Sequence, residues 1–148
     1  MAKFIFRLES VLNLKEEQKK QLELELARIQ EKKREAYTEL EFFVKKKIER
    51  LSIIHSSGKV QVMDYQVDYY YLDSLEKQID NQKKKIDRIL KVEQKVITEL
   101  LKINKEKKII EKLKEKKKEL FDKEELRAEN IFLDDISQRL KKTITAIG

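Results

Sequence analysis

The chain has 148 residues, 43% of them charged and 40% hydrophobic, with no proline, cysteine or tryptophan and two glycines, one of them the final residue. Without cysteine there is no disulfide framework and no thiolate chemistry. No stretch approaches the ~18 uncharged apolar residues of a membrane span, and the Glu, Lys, Leu and Gln content is that of a long-helix protein rather than a globular core. The net charge of +7 comes from runs such as Lys45-Lys46-Lys47, Lys83-Lys84-Lys85 and Lys116-Lys117-Lys118, interleaved with Glu and Asp. Such mixed runs mark a solvated helix face.

The opening Met1-Ala2-Lys3-Phe4-Ile5-Phe6-Arg7 is too short and too quickly charged for a secretory signal, so a cytosolic location is expected. From there the pattern predicts a first helix over about 8–54. One series of every seventh residue runs Leu8, Lys15, Leu22, Ile29, Ala36, Phe43, Arg50, and a second runs Leu12, Lys19, Leu26, Lys33, Leu40, Lys47, Ile54. Nine of these 14 positions are apolar, which defines one stripe. A 3.5-residue repeat held that long implies a left-handed supercoil with a partner helix.

A turn is predicted over about 55–60, where Ser56-Ser57-Gly58 follows the chain's one histidine, His55. Glycine is the usual residue for a left-handed turn. Ser57 or Asp64 is the candidate cap of a second helix, spanning about 61–141. Its stripes run Leu72, Ile79, Ile86, Glu93, Leu100, Lys107, Lys114, Phe121 and Leu75, Gln82, Ile89, Val96, Ile103, Ile110, Lys117. Past Phe121 the register slips, with Leu126, Ile131, Ile136 and Leu140 as the next apolar anchors. At ~1.5 Å per residue the helices would measure roughly 70 Å and 120 Å.

The expectation is a single all-α domain over 1–148: a long two-helix antiparallel coiled-coil hairpin, monomeric or weakly associating, with a dimeric coiled coil as the structural alternative. The longer helix overhangs at the terminal end. Lys15, Lys19, Lys33, Lys47, Arg50, Lys107, Lys114 and Lys117 interrupt the seam. Each forgoes the ~1.5–3 kcal/mol of a buried Leu or Ile. Two readings stand: a seam weakened for bending, or ordinary register-setting.

Catalytic chemistry has no foothold. A single imidazole without a thiol or clustered carboxylates builds neither a nucleophile–base pair nor a zinc site. Ser56-Ser57-Gly58-Lys59 lacks the upstream glycine, the following Ser or Thr and the preceding strand of a phosphate-binding loop. Glu16-Glu17 and Asp134-Asp135 point to different helix faces. The chain is expected to be no enzyme, with no cofactor, no metal and no small-molecule substrate.

One patch stands out. Phe42 and Phe43 precede the turn and Tyr65, Tyr69, Tyr70 and Tyr71 follow it, so a hairpin brings these aromatics together near its tip. Three consecutive tyrosines diverge around a helix and cannot all enter one seam. Either they seal the tip or they form an interface, for which tyrosine is well suited. A basic coiled-coil arm gripping nucleic acid or an anionic surface is the alternative reading; the mixed Glu and Lys pattern weakens it.

Phe4-Ile5-Phe6-Arg7-Leu8-Glu9-Ser10-Val11-Leu12 resembles the F-x-F-x-L-E-x-V-L opening of FliJ proteins, the small coiled-coil subunits of the bacterial flagellar export apparatus. Leu75 to Gln82 resembles that family's L-x-x-x-I-x-x-Q segment. Glu111-Lys112-Leu113-Lys114-Glu115 and Leu133-Asp134-Asp135-Ile136 resemble its E-K-L-x-E stretch and its closing L-D-E-I-A, with Asp135 in place of Glu and Ser137 in place of Ala. The resemblance implies an antiparallel coil similar to the stalk of rotary ATPases. It would bind the pore of the hexameric export ATPase and promote ring assembly, contact the membrane export gate, and handle empty export chaperones. It would sit in the cytoplasm, peripherally on the inner face of the cell membrane. On this basis Phe4, Phe6, Leu133, Asp134 and Asp135 at the terminal end are expected to meet the ATPase. Phe42, Phe43, Tyr69, Tyr70 and Tyr71 at the tip are expected to meet the gate.

Overall fold

A computed structural model of the protein describes residues 2–56 and 64–147, and the backbone of residues 62 and 63. Helix α1 spans Glu9–Ser56 and helix α2 spans Val62–Ile147. With no proline, nothing inside either span removes a backbone donor or forces a kink. Glu9 and Asp64 stand in the first turns, where negative charge complements the helix dipole. His55 and Ser56 continue α1 rather than opening the turn, because nothing at these positions breaks the helix and Ser56 Oγ bonds back to the Ile53 carbonyl at 3.0 Å. Gly58 and the cap candidate Ser57 lie outside the described residues. Asp64 is already the third residue of α2, so it is not a boundary cap.

The chain divides into two compact units: Lys19–Lys102, and Met1–Gln18 with Ile103–Gly148. Within the first, α1 and α2 pack antiparallel. As the α1 partner steps back from Arg50 through Lys47 to Lys33, the α2 partner climbs from Asp68 through Glu76 to Glu93. Ile29, Ala36, Leu75, Ile79, Ile86 and Val96 are buried. Leu22, Leu26, Leu40, Phe43, Leu72, Ile89 and Leu100 are half-buried. All of them are positions of the sevenfold series. Two helices cover only one face of each other, so among the described residues no large side chain is completely enclosed.

The seam cations are register devices. Lys33 Nζ reaches Glu93 at 3.2 Å and Lys47 Nζ reaches Glu76 at 2.9 Å. Arg50 donates through Nε at 2.7 Å, and also through Nη2, to Oδ1 of the buried Asp68. Gln82, buried opposite Ala36, donates through Nε2 to the Ala36 carbonyl at 2.9 Å and to Glu39 at 3.0 Å. A half-exposed ion pair contributes at most about 1 kcal/mol. A slip by one heptad would strand all of these groups at once, which is how weak pairs specify alignment. Lys19 differs: its carboxylate, Glu23 at 4.0 Å, is on its own helix.

The other unit follows the same rule. Lys15 Nζ reaches Glu106 at 2.6 Å, Lys114 Nζ reaches Glu9 at 2.8 Å, and Lys107 binds Glu16. The Glu16 hydrogen bond, aided by Glu111, holds the Lys107 ammonium above its ordinary 10.5. Before α1, residues 2–6 form no regular secondary structure. Phe6 is buried, its ring 6.0 Å from Lys117 Nζ, and the Phe4 ring tilts against Phe121 at 5.5 Å. These phenylalanines prolong the seam past the start of α1. Beyond Phe121 every residue of α2 from 122 to 147 is exposed.

Candidate partner surfaces

At the tip the structure separates what the sequence reading joined. Phe42 and Phe43 pack on each other at 6.0 Å, and Lys46 Nζ lies 4.4 Å over the Phe42 ring. Tyr69 meets Tyr70 edge-on at 6.0 Å, while Tyr71 stands 6.0 Å from the Arg50 guanidinium. Among the described residues no ring pair joins the phenylalanines to the tyrosines. The reason is register: Arg50 is opposite Asp68, so Phe42 and Phe43, two turns earlier on α1, lie roughly one to two turns further along α2 than Tyr69 to Tyr71.

The tyrosines do face outward. Tyr70 is 70% exposed, Tyr69 63% and Tyr71 42%, with Tyr65 and Val67 exposed beside them. Leu75, on the seam side of the same helix, is buried. Lys46, Glu49, Ile53, Val67, Tyr71 and the paired Arg50 and Asp68 line an open cleft of about 420 Å³. A second depression, about 160 Å³, is lined by Leu51, Ile54, His55, Tyr65, Asp68, Tyr69 and Leu72. Ile53 and Val67 were not singled out in the sequence. Their apolar type on a helix flank already filled with Lys and Glu was the available signal.

The terminal residues also part company. Phe4 and Phe6 dock on Lys117 and Phe121, not on the segment from Leu126 to Leu140, because the leader has only a few residues ahead of α1. Leu133, Asp134 and Asp135 lie exposed on α2, roughly 18 Å or more beyond Phe121 at ~1.5 Å per residue. Phe6 is therefore a packing residue in this structure, while Leu133, 55% exposed, is open to contact. Around it Ile131, Phe132, Ile136, Ile144 and Ile147 are exposed as well. The sevenfold spacing of Leu126, Leu133, Leu140 and Ile147 was the signal for this face.

Among the described residues no group of three or more His, Cys, Asp or Glu is placed to hold a metal ion, and no helix is long and apolar enough to cross a membrane. Neither curated proteins nor solved structures provided a match to the chain. A family model described as flagellar FliJ protein matches residues 4–142. That span takes in the Phe4–Phe6 leader, both packed helices and most of the unpartnered end of α2. The chain therefore belongs to the FliJ family of flagellar protein export components.

Proposed function

We propose that this protein is a catalytically silent stalk of the flagellar export machinery. Its terminal end, with Leu133, Asp134 and Asp135 on the uncovered part of α2, enters the export ATPase hexamer and promotes ring assembly. Phe4 and Phe6 act there by anchoring the base of that segment against Phe121 and Lys117. The tyrosine surface at the tip, Tyr69 to Tyr71 flanked by Phe42 and Phe43, takes the export gate. The protein hands on empty export chaperones at the cytoplasmic face of the membrane.

Family membership supports the setting. The observation that carries the assignment of ends is the run of exposed residues from 122 to 147, a long helix presenting large apolar side chains to no partner of its own. The test uses the purified full chain and the export ATPase. The chain alone hydrolyses no ATP, and added to the ATPase it raises turnover. A chain truncated after Leu126 loses that stimulation; if stimulation survives intact, the terminal end is not the ATPase-binding end.

A further inference from the structure

The exposed end of α2 carries its own heptad seam. Leu126, Leu133, Leu140 and Ile147 are spaced by seven, and Ile136 and Ile144 fall on the same side. All six are exposed. Leu126 lies five residues past Phe121, so at ~100° per residue this stripe is turned by about 140° from the seam that α1 covers. It is a second apolar face on the helix, distinct from the one that α1 covers.

Charge along this segment is polarised. Residues 126–135 hold three carboxylates (Glu129, Asp134, Asp135) against Arg127, whereas 136–147 hold Arg139, Lys141 and Lys142 and no acid. A parallel neighbour of the same sequence would set acid on acid and base on base. An antiparallel one sets the acidic half of each copy on the basic half of the other, which is the self-complementary arrangement that a two-fold axis requires.

We infer that the end of α2, residues 126–147, pairs antiparallel with the same segment of a second copy of this chain. The two-fold axis passes near Ile136 and Ser137. Leu126 then faces Ile147 of the second copy and Leu133 faces Leu140 of the second copy. Asp134 and Lys141, seven residues apart on one flank of the stripe, meet across the interface twice. About three heptads are buried, so the association is weak and reversible. The inference does not rest on the ATPase reading, because it concerns the chain alone.

Sedimentation equilibrium of the full chain tests it, from about 1 µM to about 1 mM. The expected result is a monomer–dimer equilibrium that weakens as salt screens the opposed halves. Leu133→Asp leaves only monomer. Asp134→Lys raises the Kd by about tenfold or more, since like charges then face each other twice, and adding Lys141→Asp in the same chain brings it back to within about threefold. Each substituted residue is exposed, so helix content stays that of the parent. Orientation is read with spin labels on Lys123→Cys, the chain having no native cysteine. Antiparallel copies hold the labels roughly 40 Å apart along the axis, at ~1.5 Å per residue, and parallel copies hold them level. A chain that stays monomeric throughout overturns the inference. So does a Leu133→Asp variant that dimerises like the parent, a paired exchange that fails to restore, or labels at the same level.

Discussion

Replacing Arg50 by methionine isolates an ion pair whose acid is nearly out of water. The Asp68 side chain is only 10% exposed and takes both Arg50 donors on one oxygen, while Arg50 itself is 38% exposed. Methionine keeps most of the stem that covers the seam, so the change mainly strands a carboxylate that is nearly out of water. Fully buried pairs cost about 3–5 kcal/mol when one partner is lost, and exposed pairs at most about 1 kcal/mol. With one partner buried and the other open, about 2 kcal/mol is expected. That corresponds to about a 30-fold rise in local opening. Amide hydrogen exchange reads it directly: protection from Tyr65 to Leu75 falls about 30-fold while amides near Val96 hold. The combined variant Arg50→Met with Asp68→Leu removes both charges and returns most of the protection. If Arg50→Met leaves exchange unchanged, the pair contributes nothing. If the combined variant opens as readily as the single one, the loss is one of packing rather than of uncompensated charge.

Gln82→Met keeps the volume of the buried side chain and removes its bonds to Ala36 and Glu39. Melting should stay within about 1.5 kcal/mol of the parent, while paired spin labels across the seam broaden because a register device is gone. Leu75→Ala, at a site 3% exposed, should cost about 2–3 kcal/mol in chemical denaturation. Tyr70→Ala, at 70% exposure, should cost less than about 0.5 kcal/mol yet abolish gate capture in a pull-down while sparing ATPase binding. Gate capture that survives single alanine replacement of Tyr69, Tyr70 and Tyr71 would mark the tip as packing only. Lys107 should titrate above 10.5 by carbon NMR of its Cε, chiefly through its Glu16 hydrogen bond, and Glu16→Gln should bring it down. Because the folded value is raised, the stabilisation from this pair is complete below the unfolded value and is lost as pH rises through the folded one.

Two helices and the faces they bury were readable from residue spacing alone. The buried Ile29, Ala36, Leu75, Ile79, Gln82, Ile86 and Val96 all sit on the sevenfold series, because periodicity is a property of one strand of residues and needs no knowledge of a partner. The family was legible too, in the Phe4–Leu12 opening and the charged closing stretch. Alignment between the helices was not. Whether Lys33 weakens the seam or finds Glu93, whether Phe42 reaches Tyr69, and how far the Phe4–Phe6 leader climbs all depend on which residue of α1 lies opposite which residue of α2. Heptad spacing repeats identically after a slip of seven, so it cannot choose among those alignments. The three-dimensional pairing of Arg50 with Asp68 and of Glu9 with Lys114 does choose. By fixing where α1 stops covering α2, it also decides that everything after Phe121 faces outward.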